Sequence, residues 1–160
     1  MATWGFLAVI NPLFTVAFQA RVVKFTSGIP MAVKFGGSLV LMGTSFLILI
    51  PMSTFWGVTF VLGLFALGEM LWQPTSEVFA SSLASDINRG AYMGVFGASG
   101  SFAWAVGPLV DFDLRQAQGI ATVWVFTALM GIGGAFFAMA SLRMARGDRF
   151  RTDHPYGHSK

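Results

Sequence analysis

Five apolar stretches of roughly transmembrane length fill most of the sequence. They cover about residues 2–20, 31–52, 54–84, 91–110 and 119–142. A helix needs about 20 consecutive apolar residues to cross the hydrocarbon core of a bilayer. Because that core offers no partner to a free backbone amide, only helices and closed barrels cross it, and stretches of this length are typical of helices. We therefore predict an all-α membrane protein, a five-helix transmembrane bundle over residues 1–144.

The chain has too few charged residues to cover a surface in water. Of its 160 residues, 55% are hydrophobic and 11% are charged. A soluble domain has about a quarter of its residues charged. The net charge of +3 is not arranged in the continuous basic stripe that nucleic-acid binding needs. Composition therefore favours a lipid bilayer as the partner of this surface and argues against nucleic acid.

Basic residues are concentrated on one side of the predicted bundle. The side reached after the first, third and fifth helices has Arg21, Lys24, Arg89 and a C-terminal cluster, whereas the opposite side has Arg115 beside two aspartates. Short cytoplasmic loops of membrane proteins are rich in Lys and Arg. We therefore expect a cytoplasmic C-terminus, with residues 145–160 forming a disordered cytoplasmic tail.

The sequence offers no catalytic or metal-binding constellation. It has no cysteine, and its two histidines, His154 and His158, lie in the polar tail. It has no nucleophile elbow, glycine-rich phosphate loop or pair of aspartates at metal spacing. We expect neither an enzyme nor a bound cofactor or metal ion.

Small residues recur where helices are expected to meet. In the fourth helix they form pairs four residues apart: Gly94 with Ala98, Gly97 with Ser101, and Ala103 with Gly107. Such pairs let two helix backbones approach closely, which drives packing in lipid. Glycines of the second and fifth helices extend the pattern, namely Gly36, Gly37, Gly43, Gly131, Gly133 and Gly134. The pattern predicts a tightly packed bundle.

Glu69 is the most informative side chain, because it is an acid inside a membrane-spanning stretch. It lies about 15 residues into the third helix, roughly 22 Å from its outer end. A carboxylate at that depth should face the protein interior or a water-filled cavity. Gln73, Ser76 and Glu77 follow with the spacing of one helix face. The pattern favours a cytoplasm-facing vestibule in which Glu69 exchanges protons; a structural hydrogen bond between helices is an equal alternative.

Prolines mark expected bends. Pro74 should kink the third helix just past the acid. Asn11-Pro12 interrupts the first helix, and the Asn11 amide should hydrogen-bond across helices or face a cavity. Gly107-Pro108 should end or bend the fourth helix.

Charged residues near the predicted helix ends have simpler expected roles. Arg89, in the connection between the third and fourth helices, should pair with Asp86 or Glu77 or cap the third helix. An exposed pair of this kind is worth under about 1 kcal/mol. Lys34, near the start of the second helix, should extend its ammonium to the cytoplasmic interface.

Several of these residues resemble the major facilitator superfamily. Gly68-Glu69-Met70-Leu71, Pro74, Arg89-Gly90-Ala91-Tyr92-Met93-Gly94 and Gly107-Pro108 resemble its tenth and eleventh helices, and Asn11 with Gln19-Ala20-Arg21 resembles its eighth. The likeness is closest to bacterial proton-coupled drug exporters. It implies that the five apolar stretches correspond to helices eight to twelve of that family. It implies a bacterial inner membrane, Glu69 in the central cavity, and Asp86 and Arg89 in a cytoplasmic gating loop. Candidate positions for helix packing and kinks are Pro74, Gly90, Tyr92, Gly94, Gly97, Gly107 and Pro108.

The sequence departs from that family in two ways. The loop from Arg21 to Pro30 lacks the Asp-Arg pair often found there, and the chain has five helices where the family has twelve. Such transporters bind substrate between two six-helix halves. We therefore expect a truncated product or fragment of a proton-coupled exporter, handling small-molecule substrate and protons only with the missing helices. The alternative is a small polytopic membrane protein that serves as a structural or assembly subunit without transport.

The charge distribution predicts which ends of the helices can be labelled from outside the cell. Because the native chain has no cysteine, Ser159→Cys and Asp113→Cys each introduce a single thiol. In intact cells, an impermeant maleimide should react with the Asp113→Cys variant and spare the Ser159→Cys variant until the cells are permeabilised. The reverse pattern would contradict the predicted orientation.

Overall fold

In a computed structural model, the chain folds into five α-helices, with no β-strand among the residues described. The structure describes the backbone of residues 2–152 and the side chains of residues 12, 13 and 15–145. The helices are α1 (Ala2–Phe25), α2 (Met31–Ser45), α3 (Phe55–Leu83), α4 (Arg89–Gln118) and α5 (Ile120–Thr152), and a 3-10 helix (Phe46–Leu49) continues α2. The predicted all-α bundle is confirmed.

Among the described residues, four helices are long and apolar enough to cross a membrane. They are α2 with its 3-10 extension, α3, α4, and α5 as far as Ala145. The 29 residues of α3 extend about 44 Å, which exceeds the hydrocarbon core of roughly 30 Å. These helices indicate an integral membrane protein. The first predicted span stays a prediction, because most side chains of residues 2–20 lie outside the described residues.

The start of α3 follows the predicted boundary closely, whereas α2 stops early. Regular α-helix ends at Ser45 and the 3-10 helix ends at Leu49, shortly before Pro51, which has no N–H to donate. The next helix begins with a cap: the Thr54 hydroxyl accepts a hydrogen bond from the Gly57 N–H at 3.3 Å. Threonine is favoured at this position because its oxygen satisfies one of the free amides of the first turn.

The fourth helix is longer than predicted. It continues through Gly107-Pro108, so Asp111, Asp113 and Arg115 lie on a helix rather than in a turn. A proline costs a helix one backbone hydrogen bond, and membrane helices tolerate this loss. α4 ends at Gly119, whose φ of +89° is a left-handed conformation that favours glycine. This single residue joins α4 to α5.

One other predicted break, at Pro12, is absent from the backbone. α1 is continuous through Pro12, where an interruption was predicted, and α3 is continuous through Pro74; a bend at Pro74 stays a prediction. α5 extends to Thr152, so the tail predicted from residue 145 begins as helix. Leu, Arg, Met and Ala, which dominate this junction, are all strong helix formers. His154 and His158 lie outside the described residues.

The centre of the bundle is α2, which packs between α5 and α3. The crossing with α5 is the closest: a Cβ added to Gly131 would lie 2.6 Å from the Leu39 carbonyl oxygen and 2.8 Å from the Gly43 Cα. On the other side of α2, a Cβ on Gly68 would lie 3.1 Å from the Ser38 carbonyl oxygen. Only glycine permits such approaches, and the predicted packing role is confirmed for Gly43 and Gly131.

The buried residues of α5 recur with steps of three and four. Ala128, Ala135, Ala138 and Leu142 are at most 8% exposed, and Gly131 lies between the first two. This spacing averages 3.5 residues, which keeps one seam of the helix against its neighbour. Alanine and glycine on that seam allow α2 and α5 to run close together.

The glycines of α4 do not have the packing role predicted for them within this chain. α4 contacts α3 and α5 but buries none of its residues. A Cβ added to Gly90, Gly94, Gly97 or Gly107 would meet no atom within 4 Å. Pairs of small residues four apart allow a close contact with another helix, but they do not determine which helix that is.

The outward face of α4 consists largely of apolar side chains. Val95, Phe102 and Trp104 are 72%, 70% and 82% exposed. A contiguous apolar surface of this kind is unfavourable in water. It is stable in a lipid bilayer or against another apolar helix.

The close crossing of α2 and α5 predicts unequal effects for two neighbouring glycines. Gly131→Ala places a Cβ against backbone atoms of α2, so overpacking should lower the free energy of unfolding by about 1–3 kcal/mol. In Gly133→Ala the new methyl meets no atom within 4 Å, and better helix propensity should leave stability equal or raise it by up to about 1 kcal/mol. Unfolding in mixed detergent–SDS micelles, followed by circular dichroism, measures both. Equal stabilities would contradict the close approach.

Candidate functional site

Glu69 lies in the membrane-length helix α3, where its side chain is half-buried. Fourteen residues separate it from the start of the helix at Phe55, a distance of about 21 Å. Glu69 is the central residue of α3, and because this helix is longer than a hydrocarbon core of roughly 30 Å, its centre lies at bilayer depth. Among the described residues, no hydrogen bond or ion pair joins the Glu69 carboxylate to a partner. Its position is therefore costly for an ionised carboxylate surrounded by lipid.

A cluster of three aromatic rings begins one helical turn from Glu69, toward the N-terminal end of α3. Phe65 precedes Glu69 by four residues and therefore shares its face. Its ring meets Phe46 edge-on at a centroid distance of 5.6 Å. Phe46 in turn stacks on Trp124 of α5 at 5.4 Å with 8° between the planes. This aromatic cluster of Phe46, Phe65 and Trp124 connects three elements and forms an apolar layer next to the acid.

The polar residues after Glu69 lie on one side of the continuous helix α3, but they differ in burial. Ser76 is 2% exposed and Thr75 is 7% exposed. Their hydroxyls donate to carbonyls of their own helix, at Gln73 (2.9 Å) and Leu71 (2.6 Å). A hydroxyl satisfied in this way packs inside like a small apolar group, which is why Ser76 faces the core. Gln73 and Glu77 are both exposed.

Pro74 lines a cavity of about 240 Å³ between α3, the end of α1 and the start of α2. Met70, Thr75 and Val78 form its α3 wall, and Lys34 of α2 lines it from the other side. Neither Glu69 nor Gln73 belongs to this lining. The cavity is therefore distinct from the vestibule predicted around the acid.

Asp86 and Arg89 form the ion pair predicted for them. The Arg89 guanidinium donates to Asp86 Oδ1 at 3.1 Å, and the side chains are 57% and 94% exposed for Arg89 and Asp86 respectively. Arg89 is the first residue of α4, and the acid lies three residues before it in the connection from α3. Of the alternatives considered from the sequence, the structure shows pairing with Asp86 and not with Glu77. The pair is accessible enough for water to compete with it.

The segment from Arg89 to Gly94 lies where α3 and α4 meet. Tyr92 is 49% exposed and, with Val95 and Phe96, lines an apolar groove of about 430 Å³ against Ala80 and Leu83 of α3. The side chain of Asn11 lies outside the described residues, so its expected hydrogen bond stays a prediction.

No protein-family model matches the chain, and comparison with curated proteins and with solved structures finds no match. The resemblance to the major facilitator superfamily therefore continues to depend on the quoted residues of the sequence.

Two features of this region were not predicted from the sequence. The aromatic cluster brings together residues far apart in the chain, which no local spacing indicates. One feature of the sequence could have indicated the cavity at Lys34. The sequence contains no Asp or Glu before Glu69, so a basic residue in α1 or α2 has no acid nearby in the chain.

The exposure of the Asp86–Arg89 pair predicts a small contribution to stability. A double-mutant cycle of Asp86→Asn and Arg89→Gln should give a coupling of about 0.2–1 kcal/mol, because solvent screens both charges. The free energy of unfolding in detergent, measured for both single variants and the double variant, tests this. A coupling above about 2 kcal/mol would mean that the pair is buried in the protein as it exists in the membrane.

Proposed function

We propose that the chain is part of a proton-coupled secondary transporter of the major facilitator type, which exports small molecules across a bacterial inner membrane. In this proposal Glu69 binds and releases the coupling proton. The observation that carries the proposal is the half-buried Glu69 carboxylate on a membrane-length helix, with no partner among the described residues.

The energetic cost of Glu69 supports a role in proton exchange. An acid at this depth costs about 2.5–3.5 kcal/mol on insertion scales unless it is neutralised or faces water. Within the described chain no cation neutralises it. Protonation and deprotonation are then the simplest ways for this side chain to alternate between a lipid-compatible and a water-compatible form.

The position of the aromatic cluster supports access of water to Glu69 from one side of the membrane only. Phe65 covers the face of α3 one turn toward the N-terminal end, and its contact with Phe46 continues to Trp124. Water reaching Glu69 along α3 would therefore come from the C-terminal end, where Gln73 and Glu77 are exposed. Access from one side at a time is a requirement of alternating-access transport.

The exposed Asp86–Arg89 pair fits the gating loop of the proposal. An ion pair worth less than about 1 kcal/mol breaks and reforms at little cost. Its position at the start of α4 would let a change in the pair alter how α3 and α4 meet.

The second candidate function is that of a structural or assembly subunit. The observation in its favour is α4, which buries none of its residues and has open glycines along a membrane-length helix. A partner helix would cover such a face with close backbone contacts. In that case Glu69 would meet a polar group of the partner and no transport would follow.

Two conservative variants test the role of the acid. Glu69→Gln removes the exchangeable proton at nearly constant volume and should reduce proton-coupled efflux by about a hundredfold or more, the lower end for a group that transfers protons. Asp113→Asn makes the same kind of change at an exposed position of α4 and should retain efflux. The measurement uses everted membrane vesicles containing the full-length protein, with dye efflux and proton movement followed together.

The outcomes separate the two functions. Normal efflux by Glu69→Gln, at equal protein level and helical content, would remove Glu69 from the mechanism. Absence of any substrate-dependent proton movement in the unaltered protein, together with loss of a stable membrane complex in Gly97→Leu, would favour the assembly subunit.

A further inference from the structure

The cavity at the start of α2 combines an apolar wall with one charged residue. Lys34 is half-buried, and it is the one charged side chain among those that line this space of about 240 Å³. Met70 and Pro74 of α3 are on the opposite wall, and Met70 is fully buried. An ammonium placed against such a wall loses part of its hydration and requires an anionic partner.

The described chain does not supply that partner. α1, α2 and the connection between them contain no acid, because the first acidic residue of the sequence is Glu69. Glu69 and Glu77 are close to the cavity along α3, yet neither forms an ion pair with Lys34. The first turn of α2 also contains no acidic residue, so the positive end of the helix dipole adds to the charge of the lysine.

The size and the depth of the cavity restrict its ligand. Pockets for drug-sized ligands have volumes of about 300–1,000 Å³, and this one is smaller. Lys34 lies in the first turn of the span Met31–Leu49, so its long side chain reaches the level of the lipid headgroups. Basic pockets between transmembrane helices bind anionic headgroups at this level.

We propose that this cavity binds one anionic phospholipid, with its headgroup phosphate on the Lys34 ammonium. The apolar side chains of Met70 and Val78 contact the glycerol and the first methylene groups of the lipid. The phosphate oxygens accept hydrogen bonds from Lys34 Nζ.

The lysine is the essential donor of the site. The two hydroxyls in the lining are already committed: Thr26 donates to the Val22 carbonyl at 2.7 Å, and Thr75 donates to the Leu71 carbonyl at 2.6 Å. A hydroxyl has a single hydrogen to donate. Recognition of the phosphate therefore depends on Lys34, and the exposed Arg21 and Lys24 contribute only general attraction to an anionic leaflet.

Native mass spectrometry of the delipidated protein in detergent tests the site. The probes are phosphatidylglycerol and phosphatidylcholine with identical acyl chains, together with inorganic phosphate. We expect one molecule of phosphatidylglycerol to bind per protein, more tightly than phosphatidylcholine. Inorganic phosphate should not displace the bound phosphatidylglycerol. Lys34→Gln should weaken phosphatidylglycerol binding by about fivefold or more, the contribution of one basic residue at a membrane surface.

Three further variants separate the site from general electrostatics and from misfolding. Lys24→Gln removes an equal charge from an exposed position and should change the affinity by less than about twofold. Lys34→Arg keeps a cationic donor and should retain binding. Val78→Phe enlarges a residue that is 60% exposed and should narrow the cavity and weaken binding while Lys34 is intact.

Three results would overturn the proposal. Phosphatidylglycerol binding equally well to Lys34→Gln and the unaltered protein would exclude Lys34 as the ligand. Equal binding of phosphatidylcholine would exclude selection for negative charge. Displacement of the lipid by inorganic phosphate would assign the site to a free anion instead.

Discussion

The structure depends on one backbone contact, in which Gly43 of α2 meets Gly131 of α5. In lipid, helices gain little by hiding apolar side chains from one another, since the solvent is itself apolar. Van der Waals contact between backbones is then the main source of attraction, and a Cβ on either glycine would prevent it. With α5 on one side and Gly68 of α3 on the other, α2 joins these two helices, and α1 and α4 pack on them in turn.

The class and four of the spans were predictable from the sequence because they follow from local properties. Run length and hydropathy determine a membrane helix, and Thr54 before an apolar run indicates where α3 begins. The choice of packing partner was not predictable. Gly94 and Gly131 both lie among small residues, yet Gly131 contacts α2 and Gly94 contacts no other helix. The difference arises from which helices the chain places side by side, which local spacing does not encode.

In the candidate site, too, local features were predictable from the sequence and contacts between distant residues were not. Glu69 and the Asp86–Arg89 pair could be found from the sequence, because an acid in an apolar run and opposite charges three residues apart are local signals. The burial of Ser76 was not predicted: its hydroxyl is satisfied inside its own helix, which allows it to pack in the core. The contact of Phe46 with Trp124 joins residues from different spans, and no sequence pattern predicts that these two rings stack.

Gly119 has a mechanical consequence for the bundle. Because this one residue joins α4 to α5, the direction of α4 is determined by a single pair of backbone angles at a position with little steric restriction. A helix of 30 residues is about 45 Å long, so a 10° rotation at its end would displace the other end by roughly 8 Å. The contacts of α4 with α3 and α5 oppose such a rotation, so a change in the backbone angles of Gly119 would strain the short α3–α4 connection while leaving the contact of α2 with α5 in place.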